Sequence, residues 1–99
     1  MIKRYFFILL VAACAAHIAR PAYGQSTSCA QTLRLAQSVY DQGRLQELNG
    51  ILQNCLQNGF TKQERVEAYK LLTLSYIYQE EPEKADEAML DLLRTDPYF

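Results

Sequence analysis

Histidine is almost missing from this chain. The one imidazole, His17, lies in an N-terminal segment that reads as removable, so the remaining chain has none for general-base or metal duty. No glycine-rich phosphate loop and no Gly-x-Ser-x-Gly turn is present. No Cys-x-x-Cys pair argues for thiol redox chemistry. Acidic residues never alternate around a central glycine as in a calcium loop. The pairs Glu64/Glu67 and Glu83/Glu87 stand at helical spacing on faces expected to be solvated, with nothing to separate their pKa values as acid–base catalysis requires. Without a nucleophile–base pair, the expectation is a protein that is not an enzyme and needs no cofactor or metal. Neither sign of charge dominates: 10 Lys+Arg stand against 11 Asp+Glu. Beyond residue 24 the balance is 7 basic to 11 acidic, which argues against capture of nucleic acid or anionic lipid.

Ninety-nine residues allow one small domain plus an N-terminal address. Met1-Ile-Lys-Arg4 is basic, Tyr5 to Ala16 is continuously apolar, and Ala22-Tyr23-Gly24 offers small residues at the positions signal peptidase inspects. This predicts a signal peptide over 1–24, cleaved before Gln25, and an exported domain over 25–99. Two other readings stay open. A retained anchor would need about 20 apolar residues, and His17 and Arg20 interrupt this run. Alternatively, Val11-Ala-Ala-Cys14 resembles a lipobox, which would leave a lipid anchor at Cys14.

In an exported chain, Cys29 and Cys55 are expected to pair. Ser28-Cys-Ala-Gln31 has the form of a capping box, and Leu33, Ala36, Val39 and Tyr40 mark an apolar helical face. Asp41-Gln-Gly43 breaks that helix. Leu45, Leu48, Ile51, Leu52, Cys55 and Leu56 mark a second face, and Asn58-Gly59 stops it. Cys29 lies 14 residues before Gly43 and Cys55 lies 12 after it, so an antiparallel hairpin over about 29–58 puts them side by side. A bridge there stabilises by roughly 3–4 kcal/mol through loop-closure entropy. Two buried free thiols are the alternative.

A second hairpin is expected over about 61–96. Thr61-Lys-Gln-Glu64 is another capping box, opening a helix that is apolar nearly all round from Val66 to Tyr78 and so packed on more than one side. Glu80-Glu-Pro82 breaks it, with proline placed to start the next helix. Ala85, Ala88, Met89, Leu92 and Leu93 form one stripe there, and Asp96-Pro97 ends it.

The two units repeat each other, with Tyr40 and Tyr76 at matching places 36 residues apart. Val66 to Phe99 resembles a tetratricopeptide repeat, whose signature positions fall on Tyr69, Leu72, Thr73, Tyr76, Ala85, Met89 and Pro97. Leu92 departs from the family's preference for a small residue. Ala30 to Phe60 matches less well, through Leu33, Ala36 and Tyr40, with a turn one residue shorter. The runs Leu33-x-x-Ala36-x-x-x-Tyr40-x-x-Gly43, Cys55-Leu-x-x-Gly59-Phe60 and Ala68-Tyr-Lys-Leu-Leu-Thr-Leu74 also look like a helical module of exported Bacteroidota-type cell-envelope proteins. There it can precede an outer-membrane region. The resemblance implies an all-α fold, two antiparallel hairpins in a right-handed stack, in the periplasm or at the outer membrane.

It also implies a groove lined by the first helix of each repeat. Carried over, its positions fall on Gln31, Arg34, Ser38 and Asp41, then on Glu67, Lys70, Leu74, Ile77 and Tyr78. The first set reads equally well as solvated surface. Leu74, Ile77 and Tyr78 form an apolar patch that the first repeat covers in part or leaves for a partner, another copy or a C-terminal extension. Two functions compete: a scaffold binding a protein or peptide partner, and a structural subunit or N-terminal module docked permanently at the outer membrane. A hydrolase or thiol-redox enzyme has no residue set to support it.

Overall fold

A computed structural model describes residues 28–99. The expected signal segment 1–24, the cleavage expected between Gly24 and Gln25, and Cys14 of the lipobox-like stretch lie outside the described residues. Among those described there is no strand, and the fold is all-α. Four α-helices follow one another: α1 Cys29–Asp41, α2 Leu48–Gln57, α3 Lys62–Tyr78 and α4 Pro82–Thr95. None of them is long and apolar enough to cross a membrane.

Helix starts follow from local chemistry. Ser28 accepts a hydrogen bond from the Gln31 N–H while the Gln31 side chain accepts from the Ser28 N–H, a full capping box. Thr61 and Glu64 repeat the arrangement at the head of α3. Pro82 is the first residue of α4, where its missing N–H leaves nothing unsatisfied. α2 begins differently from the sequence expectation. Leu45 opens a 3₁₀ turn, Leu45–Glu47, and the α-helix proper starts at Leu48. The turn tightens the entry, placing Leu45 half-buried against the core and Leu48 fully inside it.

Helix ends share one device. After α1 the Arg44 N–H donates to the Val39 carbonyl and the Gly43 N–H to the Tyr40 carbonyl, with Gly43 at φ 78°. After α2 the Phe60 N–H donates to the Cys55 carbonyl across Gly59 at φ 126°. After α3 the Glu81 and Glu80 N–H groups donate to the Tyr76 and Ile77 carbonyls. In that third case the left-handed position is held by Glu80, at φ 59°, where a side chain is strained by about 1 kcal/mol. Arg65 donates through Nη1 to the Leu56 carbonyl at 3.0 Å, satisfying one more group of the last turn of α2.

The core is built mainly where α1, α2 and α3 meet. Ala36, Val39, Leu48, Leu52, Cys55, Leu56, Phe60, Ala68, Leu71 and Leu72 form it, and Ala88 is the contribution of α4. Ala68 and Ser75 are both fully buried and stand two turns apart on α3, where their small side chains let neighbouring backbones approach. Ser75 Oγ donates to the Leu72 carbonyl at 2.9 Å, so its burial leaves no orphan hydroxyl. Helix α4 packs extensively on α3, burying Ala85, Ala88 and Leu92, and has no comparable contact with α1 or α2. The expected apolar stripe of α4 is thus buried along one edge only. Met89 and Leu93 are each 38% exposed, because α3 alone is too narrow to cover both flanks of the stripe. Leu92, where a small residue was expected, is wholly buried.

Cys29 and Cys55 form a disulfide with a Cα–Cα distance of 5.7 Å, within the usual span. It fastens the first residue of α1 to the last turns of α2. Gly59 serves this junction twice: its positive φ suits glycine, and a Cβ there would sit 2.5 Å from Cys29 Sγ.

Candidate functional site

Helix α3 is enclosed on most of its circumference and open on one strip. Leu71, Leu72, Ala68 and Ser75 are buried toward the core, and Val66 and Thr73 are buried as well. What remains open is a sector of roughly 100° carrying Glu67, Lys70, Leu74, Ile77 and Tyr78, about 17 Å along the axis. All five of the second-repeat groove positions therefore stand on one face. Leu74 is 43% exposed, Ile77 56% and Tyr78 69%, an apolar cluster at the C-terminal half of the strip. Its N-terminal half is polar: Lys70 Nζ lies 3.4 Å from Glu67 Oε1. Exposed pairs of that kind add little stability.

The first-repeat positions Gln31, Arg34, Ser38 and Asp41 are exposed on α1. Asp41 accepts a hydrogen bond from Gln37 Nε2 at 3.1 Å. The two sets approach each other through Tyr40, whose ring centroid lies 6.5 Å from that of Tyr78, tilted by 56°. Such a pair contributes about 1 kcal/mol beyond its burial. Burial raises the Tyr40 hydroxyl above its ordinary pKa of 10.0, and Tyr78 and Asp41 raise it further. So α1 covers one edge of Tyr78 while leaving most of the ring in solvent.

The positions expected to carry the repeat signature divide by burial. Ala36, Leu72 and Ala85 are buried, Leu33, Tyr40, Tyr69 and Tyr76 are half-buried, and Met89 and Pro97 are exposed.

One residue outside the expected stripe, Leu90, is 51% exposed and joins Met89 and Leu93 as exposed apolar surface on α4. Lys70 Nζ stands 5.6 Å above the Phe99 ring, bringing the last residue beside the strip. The 3.6-residue period of α4 carried the signal for Leu93 and Met89, but only a count of neighbouring helices reveals which flank stays bare. On the other side of α3, between α2 and α4, runs a cleft of about 380 Å³ floored by Tyr69, Leu72 and Tyr76. A scan against protein-family models and searches of curated proteins and of solved structures found no match.

Proposed function

We propose that this chain is an exported, non-catalytic scaffold of the bacterial cell envelope that binds a protein or peptide partner through the open strip of α3. Its four helices are read as two antiparallel hairpins, α1 with α2 and α3 with α4, stacked right-handedly as in tetratricopeptide repeats. The observation that carries the reading is the exposure of Leu74, Ile77 and Tyr78 together on one face. Large apolar groups scattered singly over a surface need no explanation, whereas a contiguous group rimmed by Glu67 and Lys70 marks an interaction site. The Cys29–Cys55 disulfide supports the oxidising compartment, because such bridges are rare where glutathione keeps thiols reduced.

Leu74→Glu combined with Tyr78→Ala tests the surface. Both side chains are exposed, so the full-length variant should fold with its helical content intact. We expect it to recover envelope partners at least about tenfold less well than the wild type, the loss of one or two anchoring residues. Recovery of the same partners at the same yield by a folded variant contradicts the proposal.

A further inference from the structure

We infer that the cleft between α2 and α4 is a second binding site, one that takes an extended peptide and grips it by its backbone. It lies across α3 from the open strip and rests on separate observations. At about 380 Å³ it falls in the range of ligand clefts, and it runs on through Asn49, Tyr76 and Lys84 into a further recess of about 300 Å³.

One wall is a row of carboxamides, Asn49, Gln53 and Gln57, each four residues from the next on α2. Four helical residues rise about 6 Å, and two residues of an extended chain advance about 6.7 Å. The row is therefore nearly in register with every second residue of a strand. A carboxamide presents one acceptor and a two-proton donor, the complement of a peptide C=O and N–H. Gln53 Nε2 already donates to Asn49 Oδ1, which orients the pair and leaves the Asn49 NH₂ and the Gln53 carbonyl turned to other partners.

The floor suits the same ligand. Tyr69, Leu72 and Tyr76 offer an apolar bed for the alternate side chains that a strand points to one side. The far wall, on α4, carries Lys84, Glu87 and Asp91. Lys84 Nζ lies 3.1 Å from Glu81 Oε1, and Arg94 Nη1 lies 3.1 Å from Asp91 Oδ1. Glu87 is the one charge of that wall outside these pairs, and a lone carboxylate disfavours an anionic ligand. Lys84 Nζ stands 5.8 Å over the Tyr76 ring, which occupies one aromatic face that a sugar ring would stack on.

The test is a titration of the isotope-labelled full chain, followed through its side-chain NH₂ resonances. The probes are a degenerate pool of end-capped hexapeptides, the same pool N-methylated at every second residue, and neutral hexasaccharides. Backbone recognition tolerates sequence, so the degenerate pool is the right probe. We expect it to shift the Asn49, Gln53 and Gln57 signals saturably, and the N-methylated pool to leave them unmoved. Gln53→Ala should weaken binding about fivefold, the loss of one hydrogen-bonding group, with the melting temperature retained. Leu74→Glu with Tyr78→Ala should bind the pool as the wild type does, which separates this site from the α3 strip. No saturable shift with the peptide pool, equal binding of the N-methylated pool, saturation by the saccharides instead, or unchanged affinity in Gln53→Ala would each overturn the inference.

Discussion

Residues 28–60 and 61–99 each supply two helices, and they are held in opposite ways. The first segment is tied covalently by Cys29–Cys55, ends both its helices on glycine, and supplies seven of the eleven buried residues of the central cluster. The second has no covalent tie among the described residues, ends α3 on a strained Glu80, and attaches α4 through α3. Exposed large apolar side chains divide the same way: Leu35 alone in the first segment, against eight in the second. The contrast teaches where each half's apolar surface goes. The first closes on itself and on α3; the second keeps an apolar face uncovered, as an interaction surface requires.

The largest effect should come from unfastening the first half. Cys29→Ser frees a loop of 26 residues, and loop-closure entropy puts the loss at about 3.5 kcal/mol. For a domain of this size that lowers Tm by roughly 15–25 °C under oxidising conditions, read by circular dichroism. Equal melting of wild type and variant would remove the main difference between the halves.

Helix ends sharpen the comparison: removing a glycine from the first half should destabilise, and supplying one to the second should stabilise. Gly59→Ala meets both a positive φ and the Cys29 sulfur, and should destabilise by roughly 2–3 kcal/mol. Glu80→Gly relieves a left-handed residue and should stabilise by about 1 kcal/mol. Denaturant midpoints of the two variants check both signs.

These two positions also mark how far sequence alone could go. Both capping boxes, the breaks at Gly43 and Pro82 and the cysteine pairing were legible because each depends on residues close in sequence or on the symmetry of one hairpin about its turn. Glu80 was not, because nothing in Glu-Glu-Pro announces a left-handed residue; the chain reversal after α3 imposes it. Hydrophobic period located the α3 and α4 faces but not which flank stays bare, since that depends on how many helices pack there. Leu93 and Met89 therefore read as core and stand half in solvent. The carboxamide row of α2 was not read from the sequence, because a four-residue spacing of Asn and Gln gains meaning only from the gap to α4, a tertiary fact.

The smallest effect probes the contact between the halves. Tyr40 holds its proton more tightly in the folded state than its ordinary pKa of 10.0, so its contribution is complete below pH 10 and is lost as pH rises through the raised value. Stability should therefore fall above pH 10, and less steeply in Tyr40→Phe. Parallel high-pH melting curves for the two proteins would show that Tyr40, half-buried and set beside Tyr78, carries no such linkage.

Site-directed photocrosslinking in living cells tests the central claim most directly. A photoreactive phenylalanine analogue is placed at Ile77, on the open strip of α3, or at Gln37, on the exposed side of α1, in the full chain. The account predicts a discrete crosslinked protein from Ile77, absent from Gln37 and lost when Leu74→Glu is added. Equal crosslinking from both positions, or none from Ile77 in cells where the protein is folded, would contradict it.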